Sequence, residues 1–210
     1  MATPSGAFPV VKQARSELST RRLLTAAAEL IAERGYNLTT LAAIGDRAGY
    51  SHGLVTRRFG SKEGLLEVLL ERMISDWREH ELSDAIGDKN GVAAIRAVID
   101  AVRDAIRRSP PQMQALYGLT FEALQPTPGL RERMVDIHRE QRQQLIGMVE
   151  AGVAHGSVKA DADPATVATL VIAGLRGIAF QWLLEPDELD IDAALSALAG
   201  ATEALLSVPH

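Results

Sequence analysis

The chain has 210 residues, no cysteine and a formal net charge of −5, with 47% apolar and 4% aromatic residues. This composition excludes disulfides and thiol chemistry, suits a reducing cytoplasm, and supplies a core rich in the helix formers Ala and Leu. No uninterrupted apolar run approaches the roughly 18 residues that span a bilayer, so we expect no membrane partner.

The N-terminal segment is expected to be a flexible arm over residues 1–18 that ends in a basic stretch, because it lacks the apolar core of a secretory signal. The next residues favour a helix over 20–34, in which Leu23 and Leu30 share one face. Gly35 is expected to end this helix, since glycine readily adopts the conformation that follows a helix C-terminus.

Three helices in close succession are predicted next. Thr39 or Thr40 can cap a helix over 40–47, and Gly49 can end it. Ser51 can cap a short helix over about 51–58, so the sequence AGYS between the two short helices gives a helix-turn-helix pattern. Ser61 can cap a fourth helix that runs to about Leu82.

The remaining chain is predicted to form five further helices, with Pro110, Pro111 and Asp163-Pro164 as the clearest breaks and starts. Their expected ranges are 91–109, 111–124, 128–155, 164–184 and 191–206. The sequence therefore predicts an all-α protein of about nine helices. We expect a helix-turn-helix domain over 19–65 and a helical domain over 66–210.

The helix-turn-helix pattern indicates DNA binding, since the second helix of such a motif lies in the major groove. Charge supports this weakly: residues 1–72 hold ten Lys/Arg and seven Asp/Glu, whereas the remainder holds twelve and twenty. Small residues permit close approach and basic residues neutralise phosphates. The residues that we expect to face DNA are Thr40, Ser51, His52, Gly53, Leu54, Thr56, Arg57, Arg58 and Lys62.

Several of these residues have alternative roles. Arg57 and Arg58 can also be ordinary solvated charges. Lys62 stands at a helix N-terminus, where a cation is unfavourable unless an anion lies nearby. A metal role for His52 is not expected, because no second ligand follows at helical spacing.

About residues 20 to 72 resemble the DNA-binding domain of the tetracycline-repressor-like (TetR) family of transcriptional regulators. The resemblance lies in AAELIAERGYNLTT, in the turn AGYS, in the following SHGLV and in FGSKEGLL. It implies a C-terminal helical domain that binds a ligand and dimerises. The chain departs from the family at Thr56, where Tyr is common, at Arg58, where His or Tyr is common, and at Gly45, where Ala is usual.

The resemblance also implies an apolar ligand cavity among the middle helices, although aromatic and Met residues at helical spacing are more often plain core. Our candidates for its lining are Trp77, Met113, Tyr117, Phe121, His138 and Arg176. Arg176 interrupts the apolar segment TLVIAGLRGIAFQWLL. It can bind an anionic ligand group, pair with an acid across a dimer contact, or face solvent.

The helices over 164–184 and 191–206 are expected to form a homodimer interface, the alternative being burial in a single-chain core. A dimer would place two recognition helices about 34–36 Å apart, which matches an inverted-repeat operator on double-stranded DNA. The sequence therefore predicts a dimeric repressor released by a small, largely apolar effector. An activator or a factor without ligand response remains open.

An enzyme is not expected, and no cofactor or metal site is predicted. The sequence has no His-Glu-x-x-His pair, no glycine-rich phosphate loop and no evident pairing of a nucleophile with a base.

Overall fold

The computed structural model of the chain describes residues 7–127 and 129–207, with side chains from residue 13 onward. Within these ranges every regular element is helical. The elements are α1 (Ala7–Leu38), α2 (Leu41–Ala48), α3 (His52–Phe59), α4 (Lys62–Trp77), a π turn (Arg78–Leu82), α5 (Ser83–Ile86), α6 (Gly91–Arg108), α7 (Pro110–Glu122), α8 (Leu130–Ala154), α9 (Pro164–Leu184) and α10 (Ile191–Leu206). The predicted all-α architecture is confirmed.

The N-terminal arm is where the expectation differs from the structure. The first helix begins at Ala7, so residues 7–18 are helical, while residues 1–6 lie outside the described part of the chain. An ion pair between Glu17 and Arg72 connects this part of α1 to α4. The carbonyl of Ser16 also accepts a hydrogen bond from Arg58 of α3. These partners are distant in sequence, so local pattern alone did not reveal them.

Short polar side chains and one glycine divide the N-terminal helices as predicted. Gly35 leaves helical geometry with φ 80° and ψ 164° and so separates the body of α1 from its last turn. The side chains of Thr40, Ser51 and Ser61 accept hydrogen bonds from the backbone N–H groups of Ala43, Leu54 and Gly64, respectively. Each satisfies an N–H group that a helix start leaves unpaired.

The fourth helix runs further than predicted. α4, the π turn and α5 form one continuous rod from Lys62 to Ile86, and Gly87 ends it. With this rod counted as one helix, the described residues contain nine helices. A π turn closes its hydrogen bonds one residue later than an α-helix and is frequent at functional sites.

Two main apolar cores hold the molecule together. The first joins α1, α2, α3 and α4 to α7 and the start of α8, through residues such as Leu23, Leu119 and Leu130. The second joins α6, the rest of α8, α9 and α10, through residues such as Ile99 and Val149. Because α7 packs into the first core, the helix-turn-helix is attached to the rest of the chain by buried side chains as well as by α4.

One described helix, α9, is long and apolar enough to cross a membrane when judged by length and composition alone, and 33% of that apolar window is buried. Core helices of soluble proteins pass the same test. Leu170 and Leu184 of α9 are 51% and 65% exposed, so the helix presents an uncovered apolar face.

Candidate nucleic-acid interface and ligand cavity

The two short helices α2 and α3 cross closely because α2 contains Gly45. A Cβ atom at Gly45 would lie 2.8 Å from the carbonyl oxygen of Tyr50 and 3.2 Å from Cγ2 of Val55. The Tyr50 N–H also donates to the Gly45 carbonyl at 2.8 Å. Gly49 supplies the left-handed turn conformation between the helices, with φ 77°. The glycine at position 45 is therefore required by the close crossing.

The orientation of α3 is set by its buried side. Val55 is fully buried, and Phe59 packs against the first core. The opposite side is open: His52, Gly53 and Arg57 are exposed. A Cβ atom at Gly53 would meet nothing within 4 Å.

Other predicted interface residues lie around this open side. Ser51 is exposed and Leu54 and Thr56 are partly exposed, whereas Thr40 is exposed at the start of α2. The Thr56 hydroxyl lies 3.4 Å from Nε2 of His52, one helical turn earlier. These positions and the open side of α3 form one polar surface, which we call the α3 face.

Two of the predicted phosphate-binding cations are turned toward the protein itself. Arg58 donates to the carbonyl of Ser16, at 2.5 Å, and to the hydroxyl of Thr20. Lys62 Nζ donates to the carbonyl of Asn37 at 3.1 Å and lies 4.1 Å from the centre of the Tyr36 ring. Burial lowers the pKa of Lys62.

Arg57 differs from both of these cations. Among the described residues it is exposed and pairs with no carboxylate. Arg57 is therefore free to bind an external anion. Arg58 and Lys62 instead form hydrogen bonds to α1.

A carboxylate from the C-terminal half of the chain accepts two hydrogen bonds from the end of α1. The two oxygens of Glu122, the last residue of α7, accept hydrogen bonds from the backbone N–H groups of Tyr36 and Asn37 at 2.9 and 3.0 Å. Both amides directly follow Gly35, whose non-helical geometry interrupts the regular pairing of N–H groups with the carbonyls four residues earlier. We call this contact the Glu122 clasp.

A cavity of about 440 Å³ lies beyond the clasp, among α1, α4, the π turn and α6 to α9. This volume is within the range of small-molecule sites. Four of the six candidate residues, Trp77, Met113, Tyr117 and Arg176, line this cavity.

The other two candidates do not line the cavity. Phe121 packs edge-to-face against Phe180 of α9, with ring centroids 5.5 Å apart, so it is part of helix packing. His138 stands behind Arg176, whose Nη2 lies 3.2 Å from its Nδ1. Helical spacing placed both residues near the cavity, but the rotation of α7 and α8 turned them away from it.

Sequence reasoning missed most of the cavity wall. The apolar part that it missed comprises Leu24, Leu69, Met73, Ile74, Leu82, Val98, Val102, Ala105, Leu116, Met134, Ile137, Leu145, Met148, Ile172 and Leu175. The polar part includes Arg21, Arg72, Arg78, Arg108, Asp76 and Glu81. Many of these belong to ordinary amphipathic patterns, which give no sign that a face encloses an empty volume.

The cavity wall contains two hydrogen-bond donors that are shielded from solvent, the hydroxyl of Tyr117 and the indole N–H of Trp77. Desolvation raises the pKa of Tyr117 to about 12, although the nearby charge of Arg176 acts in the opposite direction. Tyr117 therefore keeps its proton at neutral pH. The indole Nε1 of Trp77 is buried without a hydrogen-bond partner among the described residues. Burial lowers the pKa of Arg176, but an arginine remains charged at neutral pH.

Comparison with known proteins gives the class to which this fold and this pair of sites belong. The family described as "Bacterial regulatory proteins, tetR family" matches residues 23–69, and the family described as "BetI-type transcriptional repressor, C-terminal" matches residues 92–207. The two matches together extend from the helix-turn-helix to the end of α10. The chain belongs to the TetR family of bacterial transcriptional regulators.

Individual relatives agree over nearly the whole chain. The transcriptional repressor KstR2 of Rhodococcus jostii is 26% identical over 188 residues, which cover 90% of this chain and 91% of KstR2. A TetR regulator from Chloroflexus aurantiacus is 25% identical, with a TM-score of 0.79 and coverage of 93% and 99%. FadR from Bacillus subtilis, solved in complex with stearoyl-CoA, shares the fold at 19% identity, a TM-score of 0.77 and coverage of 88% and 98%.

Proposed function

We propose that this protein is a cytoplasmic homodimeric repressor that binds an inverted-repeat operator and leaves it when a small, largely apolar effector enters the cavity. The observation that carries the proposal is the α3 face, an exposed polar surface on the second helix of a helix-turn-helix. Membership of a family of DNA-binding regulators supports the same conclusion.

The α3 face meets the major groove in this proposal. Ser51, His52, Gly53 and Thr56 approach base edges and backbone, and Arg57 neutralises a phosphate. Thr40 at the start of α2 adds a hydroxyl beside the phosphate backbone. Leu54, Arg58 and Lys62 lie at the margin of the surface, where the two cations hold α3 and α4 in place and add to the positive field.

Two copies of the chain associate through α9 and α10. The exposed apolar side chains of Leu170, Phe180 and Leu184 on α9, and of Leu205 on α10, supply an uncovered surface of the kind that marks protein interfaces. Arg176 and Gln181 interrupt the apolar sequence of α9, which favours a protein partner over lipid. The resulting four-helix interface positions the two α3 faces on one side of the dimer.

The effector binds in the 440 Å³ cavity. The walls are mainly aliphatic and Met side chains, which favour an apolar molecule. FadR of Bacillus subtilis, which has the same fold, is described with stearoyl-CoA, a ligand with a long apolar chain.

Two routes connect the cavity with the α3 face. α4 begins at Lys62 beside the α1–α2 turn and ends at Trp77 on the cavity wall. α7 lines the cavity through Met113 and Tyr117 and ends in the Glu122 clasp. An effector that binds more tightly to one arrangement of these helices shifts the population toward it, and only this difference in affinity produces release.

The test is a titration of the purified protein on labelled duplex from the region upstream of its own coding sequence, at several salt concentrations. We expect saturable binding by a dimer, weaker at higher salt, and competition by unlabelled specific duplex. A monomer without salt-sensitive affinity for any duplex would refute the proposal. Binding that no small molecule weakens would leave a DNA-binding factor and refute the effector part alone.

A further inference from the structure

We propose that the effector is a monoanionic amphipathic molecule, such as a carboxylate on an apolar body, and that its negative group binds at Arg176. This inference rests on the proposed function, because it takes the cavity to be the effector site. It adds the charge and the orientation of the ligand.

The first argument is the balance of charge around the cavity. Five arginines line it, and four of them have carboxylate partners. Those pairs are Arg21 with Glu17, Arg72 with Glu17 and Asp76, Arg78 with Glu140, and Arg108 with Glu81. Arg176 pairs with no carboxylate of residues 13–127 or 129–207, so the cavity has one uncompensated positive charge.

The second argument is the position of that charge. Arg176 lies in the middle of the apolar helix α9, and the only hydrogen-bond neighbour of its side chain in the described chain is Nδ1 of His138, at 3.2 Å. Burial and the charges of Arg176 and Arg142 lower the pKa of His138, which favours the neutral imidazole. A neutral neighbour does not compensate a half-buried cation, and leaving such a charge unpaired is costly.

The third argument is the chemistry of the hydrogen-bond donors that line the cavity together with Arg176. Tyr117 lies close enough for the Arg176 charge to affect its pKa, and its protonated hydroxyl can donate a hydrogen bond. The unpartnered Nε1–H of Trp77 is a second donor in the same cavity. Cation, hydroxyl and indole together favour an acceptor-rich anion and disfavour a cationic ligand.

The remaining wall defines the rest of the molecule. Met113, Met148, Ile172 and Leu175 are apolar, and the two acids that line the cavity, Asp76 and Glu81, are each engaged by an arginine. A ligand with one negative group can therefore pair that group with Arg176, while apolar side chains cover the rest of the ligand.

The experiment compares three probes that share an unbranched ten-carbon chain and differ in the charge of the head group: decanoate, methyl decanoate and decyltrimethylammonium. Binding to the intact dimer is followed at pH 7.5, below the micelle range of each probe, by calorimetry and by Trp77 fluorescence in a Trp182→Phe background. We expect decanoate to bind about tenfold more tightly than the ester, and the cation to bind most weakly.

Three variants assign this preference to Arg176. Arg176→Met should abolish the preference for decanoate while ester binding persists, and Arg176→Lys should retain most of it. Arg139→Met is the matched control, because it removes an exposed arginine that pairs with Asp136 and does not line the cavity, and it should leave the preference unchanged. If Arg176→Met unfolds, the Lys variant and Tyr117→Phe, which should weaken decanoate more than the ester, still decide the question.

Equal or stronger binding of the ester or the cation to the unaltered protein would overturn the inference, as would an undiminished preference in Arg176→Met. Failure of decanoate to bind at 1 mM would also overturn it. Operator binding is measured in the same samples. A protein that binds operator but prefers a neutral or cationic ligand refutes only the monoanion, whereas a protein that binds no duplex refutes the proposed function.

Discussion

The carboxylate of Glu122 accepts the backbone N–H of Tyr36 at 2.9 Å, across 86 residues of sequence. Its other oxygen accepts the N–H of Asn37. This clasp joins the last residue of a cavity-lining helix to the turn that precedes the helix-turn-helix, so it is a place at which the proposed coupling between cavity and α3 face can be tested.

Replacing Glu122 by Gln should loosen that turn. Hydrogen bonds to charged groups contribute about 1.5–3 kcal/mol each, and the amide retains only one acceptor, so we expect the free energy of unfolding to fall by about 1–3 kcal/mol. Amide hydrogen exchange of Tyr36 and Asn37 should accelerate selectively. Glu150→Gln, on the exposed surface of α8, is the control, and equal exchange in the two variants would argue against the clasp.

The close crossing at Gly45 gives a second prediction. Gly45→Ala places a methyl group 2.8 Å from the Tyr50 carbonyl and should reduce the free energy of unfolding by about 1–3 kcal/mol. Gly53→Ala, in the open part of α3, should instead stabilise the helix by about 0.5–1 kcal/mol. Urea unfolding measures both. If Gly53→Ala also weakens operator binding despite its stability, the methyl group obstructs the approach of α3 to DNA.

Arg57 should carry a phosphate contact that Arg58 does not. Arg57→Gln is expected to reduce the slope of log K against log salt by about two for a dimer, because each neutralised phosphate contributes about 0.9. Arg58→Gln should mainly lower thermal stability, since it removes the bonds to Ser16 and Thr20. An unchanged slope in Arg57→Gln, measured by fluorescence anisotropy, would remove Arg57 from the interface.

The exposed face of α9 should hold the dimer together. Leu170→Glu combined with Leu184→Glu introduces charges at two apolar positions that are 51% and 65% exposed in the single chain. We expect a folded monomer in sedimentation analysis and a loss of high-affinity operator binding. Leu124→Glu, at a 73% exposed position after α7, is the control and should remain dimeric. A dimeric double variant would place the interface elsewhere.

His138 should make stability dependent on pH. Its pKa is lowered by burial and then by the charges of Arg176 and Arg142, so the unfolded chain binds the proton more readily than the folded chain. Stability is therefore fully present above about pH 6.5 and declines as the pH falls toward the lowered folded value. His138→Gln should flatten this decline in urea titrations between about pH 7 and 5. The same decline in His138→Gln as in the unaltered protein would exclude His138 as its source, and His155→Gln serves as the control.

Local signals made most of the helices predictable. Thr40, Ser51 and Ser61 cap helices where the sequence placed them, and Gly35 breaks α1 as expected, because caps and breaks depend on a few neighbouring residues. Contacts between distant segments were not predictable in this way. The extension of α1 to Ala7 and the inward turn of Arg58 both depend on such partners.

The cavity shows the same division. Trp77, Met113, Tyr117 and Arg176 line it as predicted, whereas Phe121 meets Phe180 instead. A helical pattern identifies which side of a helix is apolar, but it does not tell whether that side meets another side chain or an open volume. The sequence does not show that Arg176 lacks a carboxylate partner, because three of the cavity arginines pair with carboxylates that are distant in sequence.

The π turn over Arg78–Leu82 makes the dimensions of the cavity sensitive to chain length. Removing one residue there would restore ordinary α-helical hydrogen bonding, because a π turn holds one residue more than the α turn it replaces. The turn would then present fewer side chains, and three of its present ones, Arg78, Glu81 and Leu82, line the cavity together with Trp77. A single codon gained or lost at this point would therefore change which side chains form the cavity wall, and with them the ligand that fits.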